Sequence, residues 1–276
     1  MQQLVVVRLG EGYEMPHPDA TPEEYVFSHS GVILRRGNIQ YYYVRSPDQL
    51  LGDAQIRAEQ FLDSMIPVPP SLIHPPFDST AVTRAPTPIP DNWYVKRART
   101  LFQYSPEKGI DVDVADVVQS EAKVCEVIKA AGPHPNVATY YGCEVSQVDG
   151  QGDELYITGL CFRKYRMTLE ERLDDPWSWP LDVEKFMRGI KAGVQHLHSL
   201  GLVHCDLFPE NIMMDEDDVP VIIDFDCCRS MGQGMSNKGT ACEWTDPELT
   251  HAGPENDWYS VERIREFLIE CDGGAR

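Results

Sequence analysis

Two aspartates and one asparagine in the middle of the chain could bind a metal ion together. Asp206 lies five residues before Asn211 in a polar loop, and Asp224 directly follows the apolar run of residues 221–223. A carboxylate delivered to the edge of a core needs a partner, and a metal ion is a common one. The three side chains could therefore converge on one Mg²⁺ ion that carries a phosphate-bearing substrate.

Short elements must position these groups. Residues 202–203 are apolar and lead into the loop, residues 212–214 leave it, and an acidic turn returns the chain into residues 221–223. This order predicts strand, loop, strand, turn and strand. Residues 182–200 carry apolar side chains at a spacing of about 3.6 and stop at Gly201, which predicts a helix that leads into the loop.

Lys96 and Glu121 lie where a charge is unexpected. Lys96 falls inside a strand pattern over residues 93–103, and Glu121 lies on the apolar stripe of a helix predicted over residues 115–131. A buried charge needs a partner of opposite sign. The two could pair with each other, or both could be solvated. Glu126 lies outside the stripe and is predicted to be solvated.

Several motifs resemble those of one family. Residues 204–211, HCDLFPEN, resemble the His-Arg-Asp-Leu-x-x-x-x-Asn catalytic loop of the protein-kinase superfamily, and residues 224–226, DFD, resemble its Asp-Phe-Gly. The amino-acid sequence of this stretch is also similar to that of kinase-like proteins of filamentous fungi. Lys96 and Glu121 match the family's strand lysine and helix glutamate. Residues 245–248, TDPE, resemble the Ala-Pro-Glu end of the activation segment, which favours the protein-kinase branch.

The resemblance implies ATP and Mg²⁺ as cofactors and gives each residue a role. Asp206 would orient the attacking hydroxyl and accept its proton. Asn211 and Asp224 would hold Mg²⁺. Lys96, fixed by Glu121, would bind the α- and β-phosphates.

The resemblance also implies an α+β, bilobal, protein-kinase-like fold. Its N-lobe would be β-rich with one main helix, and its C-lobe would be mostly helical and shortened after the central helix, where Asp257 would support the catalytic loop. The hinge between the lobes would bind adenine through the backbone of Arg163, Lys164 and Tyr165. We divide the chain into an α+β extension (1–65), a proline-rich connector (66–90), the N-lobe (91–165) and the C-lobe (166–276).

The extension contains a glycine-containing stretch that could bind phosphate. Residues 9–13, LGEGY, follow a predicted strand and resemble the start of a glycine-rich loop, but they lie far ahead of Lys96, and an ordinary turn is the alternative. A hairpin is predicted around Gly37 and Asn38. A helix is predicted to begin at Ser46 and to continue to about residue 62.

Departures from the family pattern leave alternatives open. Phe208 replaces a phosphate-contacting lysine, Cys205 replaces the arginine that reads phosphorylation, residues 71–90 contain no glycine, and the later C-lobe helices are missing. The chain is therefore either a phosphotransferase, acting on protein Ser/Thr or on a small metabolite, or a pseudokinase or nucleotide-binding scaffold.

Asp226, in place of glycine, is either a metal ligand or a capping group, and we favour capping. We interpret His204 and Phe225 as structural and His196 and His198 as incidental.

Composition limits the partners and the compartment. The 276 residues include 24 basic and 44 acidic side chains, and the net charge of −20 opposes binding to nucleic acid or anionic membranes. The acidic charge could simply keep the chain soluble, or it could form a surface that recruits a basic substrate. The eight cysteines are scattered like reduced thiols. With no signal-peptide pattern and no apolar run of roughly 18 residues, we expect a cytoplasmic or nuclear protein that is not secreted and is monomeric by default.

Overall fold

The computed structural model of the protein describes residues 4–14, 24–37, 39–50, 57–98, 104–105, 109–110, 113–147, 153–175, 181–235 and 243–274. Its contacts divide the chain into two compact units. The first unit comprises Met1–Asp78, Arg97–Gln119 and Glu144–Gly159, and the second comprises Ser79–Lys96, Ser120–Cys143 and Leu160–Arg276. This grouping differs from the four sequence segments, whose boundaries stay a prediction.

The elements follow one another as an α+β chain. The strands are β1 (Leu4–Glu14), β2 (Val26–Arg36), β3 (Gln40–Ser46), β4 (Ile66–Pro67), β5 (Trp93–Lys96), β6 (Tyr104–Ser105), β7 (Gly109–Ile110), β8 (Tyr140–Gln147), β9 (Leu155–Arg163), β10 (Met167–Thr168), β11 (Leu202–Val203), β12 (Ile212–Met214), β13 (Pro220–Ile222) and β14 (Arg229–Ser230). The helices are α1 (Val114–Ala131), α2 (Leu169–Asp174), α3 (Val183–Ser199) and α4 (Pro254–Gly274). The predicted α+β class, with a β-rich N-terminal part and a helical C-terminal part, is confirmed.

None of the described helices is long and apolar enough to cross a membrane.

The first unit is built on an antiparallel sheet in the order β1-β2-β3-β4. β2 and β3 pair from Ser30–Ser46 to Arg36–Gln40, which confirms the predicted hairpin, although Asn38 of its turn lies outside the described residues. Successive strand residues point to opposite faces, and both faces are buried. Val32, Leu34 and Val44 lie on one face with Phe61, and Ile33, Tyr41 and Tyr43 lie on the other with Ile73.

The glycine-containing stretch of residues 9–13 lies inside β1. Leu9 pairs with Val32 and Gly10 with Gly31, and the pairing continues past Gly12 with one irregularity. Its backbone is therefore part of a sheet, and both sequence interpretations, phosphate loop and ordinary turn, are wrong.

The helix predicted from Ser46 does not begin there. Ser46 ends β3, and its hydroxyl accepts a hydrogen bond from the main-chain N–H of Asp48 over 3.2 Å, which is a turn contact and not the start of a helix. Residues 47–50 are not helical, residues 51–56 lie outside the described chain, and Ala58–Phe61 form a short 3-10 helix.

The second unit contains the strand that carries Lys96. β5, β9 and β8 form a sheet in that order, with Trp93 paired to Arg163 and Lys96 paired to Leu160. The strand predicted over residues 93–103 ends at Lys96, and residues 99–103 lie outside the description. Within the described chain, no strand pairs with the other edge of β5.

The helix before the loop is formed as predicted. The Asp182 side chain accepts a hydrogen bond from Lys185 N at the start of α3, and Gly201, with φ of 75°, follows its end. A left-handed residue at this place terminates a helix, and glycine adopts it without strain. The predicted apolar stripe is buried at Phe186, Ile190, Val194 and Leu197. The seven described cysteines form no disulfide, as predicted, and Cys242 lies outside the description.

Candidate functional site

Lys96 and Glu121 form a buried ion pair in the second unit. β5 ends at Lys96, whose ammonium lies 2.6 and 2.7 Å from the two carboxylate oxygens of Glu121 on α1. The side chains are 16% and 3% exposed. The pairing of the two unexpected charges is therefore present, and the interpretation of both as solvated residues is wrong.

Asp224 shares the same ammonium. Lys96 Nζ lies 2.7 Å from Asp224 Oδ1, and the main-chain N–H of Phe225 donates to Glu121 Oε1 over 3.2 Å. Asp224 has φ of 64°, a conformation that costs a non-glycine residue about 1–3 kcal/mol. The bend turns the carboxylate that follows β13 towards Lys96, so strand, helix and hairpin end meet at one cation.

Asp206 and Asn211 are joined across the loop between β11 and β12. Asn211 Nδ2 donates to the carbonyl oxygen of Asp206 over 2.9 Å and to its Oδ2 over 3.2 Å. This fixes the amide group, whose oxygen accepts no hydrogen bond from the described residues and so stays open to a ligand. Burial raises the pKa of Asp206 and His204 lowers it, while the charges of Asp226 and Asp224 raise it further, so the net direction is upward.

α4 holds this loop through Asp257, which is fully buried. Its Oδ2 accepts from the main-chain N–H of His204 and its Oδ1 from that of Cys205, both over 2.9 Å. Cys205 has φ of 66°, so the loop is bent where the carboxylate binds it. The contact agrees with the supporting role expected for Asp257. His198 Nε2 also lies 2.8 Å from Asp257 Oδ2.

His204 and Phe225 pack the loop against the end of the β12–β13 hairpin. His204 Nε2 lies 2.9 Å from the carbonyl oxygen of Ile223, and its ring meets that of Phe225 edge-on at 5.7 Å between centroids. Both side chains are buried. Their geometry agrees with the structural interpretation.

The cluster around Lys96 carries more negative than positive charge. Burial lowers the pKa of Lys96, but Glu121, Asp224 and Asp226 together raise it by more, so the ammonium stays protonated. Burial, together with Asp224 and Asp226, raises the pKa of Glu121 to about 7 although Lys96 lowers it. One buried ammonium therefore does not balance the carboxylates around it.

A divalent cation fits this arrangement. Carboxylate and amide oxygens are the ligands that Mg²⁺ prefers, and Asn211 binds Asp206 through its Nδ2, which leaves the amide oxygen open. A metal would also offset the excess negative charge. The residues present are therefore compatible with the predicted magnesium site at Asn211 and Asp224.

Asp226 belongs to the same charged cluster. It lies in a turn and caps no helix of the described chain, and its role as a metal ligand or a capping group stays a prediction. A possible metal-ligating group is formed by Asp206, Asp226 and Cys227. Each offers one ligand atom, and these three atoms lie within 4.8 Å of one another. Burial, followed by the charges of Asp226 and Asp206, raises the pKa of the Cys227 thiol.

The three hinge residues make contacts of their own. The Arg163 guanidinium lies 3.3 Å from Glu216 and 5.4 Å from the centre of the Tyr165 ring. The Tyr165 hydroxyl accepts from the main-chain N–H of Thr139 over 3.0 Å, and Lys164 is exposed. Adenine binding by their backbone stays a prediction, because these contacts involve the side chains.

Two residues that the sequence left without a role make specific contacts. Glu126 is not simply solvated, because it accepts hydrogen bonds from the main-chain N–H and the hydroxyl of Thr83 over 2.7 and 2.9 Å. His198 is not incidental, because it binds Asp257. No local pattern marks either pair, since the partners lie 43 and 59 residues apart.

The sequence matches the family described as protein kinase domain over residues 103–264. The matched residues include Glu121, Asp206, Asn211 and Asp224, and Lys96 lies shortly before them.

Parts of the chain are similar to curated kinases. The serine/threonine-protein kinase/endoribonuclease IRE1 of Hypocrea jecorina is 29% identical over 177 residues, which cover 60% of this chain and 12% of that protein. The dual specificity protein kinase pyk3 of Dictyostelium discoideum is 32% identical over 148 residues, or 51% of this chain and 10% of that protein. The human serine/threonine-protein kinase Sgk1 is 36% identical over 81 residues, or 27% and 19%. The chain therefore spans less than a fifth of the length of each of these relatives.

Proposed function

Because the chain belongs to the protein kinase family, we propose that it transfers the γ-phosphate of ATP to a hydroxyl group, with Mg²⁺ as its metal. The observation that carries the proposal is the Lys96 ammonium, which lies within 2.7 Å of carboxylate oxygens of both Glu121 and Asp224. The carboxylates around this ammonium leave an excess of negative charge, which a metal ion would offset.

Each side chain has a role in this reaction that its contacts support. Lys96, held by Glu121, binds the α- and β-phosphates. Asp206 orients the acceptor hydroxyl and takes its proton, and its raised pKa makes it a better proton acceptor than an exposed aspartate. Positioning and charge stabilisation supply most of the catalysis in phosphoryl transfer.

Asn211 and Asp224 would hold the metal. When bound, Mg²⁺ neutralises charge on the phosphates. The hydrogen bonds from Asn211 Nδ2 to Asp206 keep the amide oxygen directed away from that aspartate. The bent backbone at Asp224 holds its carboxylate in place.

We propose a serine or threonine of a protein as the acceptor. The IRE1 and Sgk1 relatives are named serine/threonine-protein kinases, and pyk3 is named a dual specificity protein kinase. Residues 245–248 also resemble the end of a protein-kinase activation segment. A small metabolite is the alternative acceptor. Labelling a lysate with radioactive ATP separates the two, because the label enters macromolecules only if the acceptor is a protein.

Thermal unfolding with ATP and Mg²⁺ tests nucleotide binding. Ligand binding to the folded state raises the unfolding temperature by mass action, so millimolar ATP with Mg²⁺ should stabilise the wild type. Asp224→Ala should abolish the shift. Asp217→Ala is the matched control, because Asp217 is exposed in the acidic turn. A shift that persists in Asp224→Ala would contradict the metal assignment.

A pseudokinase or nucleotide-binding scaffold is the second candidate function. It is favoured by the open edge of β5, where no described strand pairs, and by the absence of glycine from residues 71–90. Under this alternative ATP binds weakly or not at all and no phosphate is transferred. Turnover by the wild type that disappears in Asp206→Asn excludes it.

A further inference from the structure

Part of the proline-rich connector is attached to β8. Residues 82–85, which we call the strap, run beside Cys143: Thr83 O accepts from Cys143 N over 2.7 Å, and Ala85 N donates to Cys143 O over 2.8 Å. Arg84 and Cys143 form a parallel bridge. Val82 and Ala85 are buried. The strap therefore has a fixed position against the strand and is not a loose linker.

Gly142 lets the strap come this close. It has φ of 146°, and a Cβ atom at this position would lie 2.9 Å from Thr83 O and 3.1 Å from Ala85 N. Real Cβ atoms essentially never lie 2.9 Å from a backbone atom, and residues with a side chain rarely adopt this φ, so another residue here would push the strap away. The close approach is thus built into the sequence of β8.

The strap is hydrogen-bonded to α1 through Thr83 and Glu126. Both carboxylate oxygens of Glu126 accept hydrogen bonds from Thr83, one from its main-chain N–H over 2.7 Å and one from its hydroxyl over 2.9 Å. Hydrogen bonds to an ionised acceptor are stronger than neutral ones. A partly buried carboxylate that keeps two donors is a specific contact.

Glu126 lies on the same helix as Glu121. Five residues correspond to about 7.5 Å along a helix axis and to directions about 140° apart around it. α1 is therefore held on two sides: Glu121 by Lys96 and the N–H of Phe225, and Glu126 by Thr83. A helix moves as a rigid body over this length, so a contact on one side fixes the position of the other.

We propose that Thr83 and Glu126 are positioning residues, and that their contact holds α1 where Glu121 pairs with Lys96. An effect of this contact on turnover depends on the proposed phosphotransfer. An effect of the contact on the position of α1 does not depend on it. Neither Thr83 nor Glu126 contacts Lys96, Asp206, Asn211 or Asp224 among the described contacts. Loss of the pair therefore acts on the site through the helix.

Cys125 provides a direct measure of the position of α1. It is fully buried on this helix, whereas Cys161 is fully buried in β9. The rate at which N-ethylmaleimide modifies each thiol can be followed by peptide mass spectrometry. Faster modification of Cys125 alone reports displacement of α1, and equal acceleration of both reports general unfolding.

Glu126→Ala in the full chain should accelerate modification of Cys125 about tenfold relative to Cys161, because it removes two charge-assisted hydrogen bonds. Thr83→Val should act in the same direction and more weakly, since the main-chain N–H still donates. Gly142→Ala displaces the strap without changing Glu126 and should resemble Thr83→Val. Lys123→Ala, at an exposed position of α1, is the control.

Turnover supplies the second measurement. Glu126→Ala should lower kcat, and Glu126→Gln, which keeps one acceptor oxygen, should restore part of it. If modification of Cys125 in Glu126→Ala matches the Lys123→Ala control, the strap does not position α1 and the inference is wrong. If Glu126→Ala accelerates modification of Cys125 but the wild type has no turnover, the positioning of α1 by the strap is supported and the proposed phosphotransfer is wrong.

Discussion

Lys96 decides how the site is assembled, because one ammonium is shared by carboxylates from two different elements. Both its partners are almost completely buried. Removing one member of a buried pair leaves the other uncompensated, which typically costs about 3–5 kcal/mol. A change at Lys96 would therefore affect folding as well as the proposed nucleotide binding, and substitutions elsewhere separate the two effects more cleanly.

Asp206→Asn separates chemistry from binding. Asparagine cannot accept the proton of an attacking hydroxyl, so we expect kcat to fall by about 10²- to 10⁴-fold. The thermal shift caused by ATP and Mg²⁺ should remain, because Asp206 is not one of the proposed metal ligands. Steady-state kinetics and thermal unfolding on the same samples check this, with Asp217→Asn as control. Retained kcat would contradict the assignment of Asp206 as the proton acceptor.

His74 gives the first unit a predictable pH dependence. Burial lowers its pKa from 6.5 to about 4, although hydrogen bonds to the main chain of Ile157 and Ile39 raise it. Between these values the unfolded chain takes up the proton and the folded chain does not. Stability should therefore fall by about 3 kcal/mol as pH falls from 6.5 to 4. Above pH 6.5 His74 has no effect on stability, and below pH 4 the loss stays constant because both states are protonated.

Urea unfolding at several pH values measures this dependence. His74→Gln removes the titrating group, so the free energy of unfolding should change less between pH 6.5 and 4 than in the wild type. His251→Gln, at an exposed position, should keep the wild-type slope. An unchanged slope in His74→Gln would mean that other groups cause the pH dependence.

At the level of elements, α4 fixes the loop that carries Asp206. Asp257→Asn leaves one acceptor oxygen for the two main-chain donors, His204 N and Cys205 N. A buried unsatisfied donor costs about 1–3 kcal/mol, and the bent conformation of Cys205 loses its support. We expect kcat to fall while the KM for ATP changes little, with Glu255→Gln as the exposed control on α4. A change confined to the KM for ATP would contradict this role.

The sequence predicted those elements whose signals are local. The stripe of α3, its stop at Gly201 and the strands around Asp206 follow from patterns within a few residues of one another. Glu121 was predicted for a related reason, since a charge on an apolar stripe is visible in a single helix. These features also carry the candidate site, so local patterns and the family resemblance together select its residues from the sequence, while their roles stay a prediction.

The features that the sequence missed depend on distant partners. Residues 9–13 looked like a loop because they contain two glycines, but pairing with β2 makes them a strand, and tertiary context commonly overrides such local preference. Glu126 looked solvated because Thr83, its partner, lies in a segment without regular structure. The predicted helix at Ser46 failed because the serine hydroxyl closes a turn instead.

At the scale of the whole molecule, charge is the dominant property. Acidic side chains exceed basic ones by 44 to 24, so the field of the chain repels anions and attracts cations beyond any single contact. The buried carboxylates of the site account for only a small part of this excess. A basic substrate would thus be drawn to the chain from a distance, an effect that salt screens over about 10 Å at 0.1 M.

Salt dependence of peptide phosphorylation tests this attraction. A serine peptide flanked by arginines should have a lower KM than the same peptide with glutamines, and raising the salt from about 0.02 to 0.2 M should increase the KM of the arginine peptide several-fold. The glutamine peptide should respond little, because its capture does not depend on the field. The kcat of both should stay nearly constant, since in the proposed reaction Asp206 and Lys96 act after the peptide is bound. If salt changes the KM of both peptides equally, the acidic charge serves solubility and does not select the substrate.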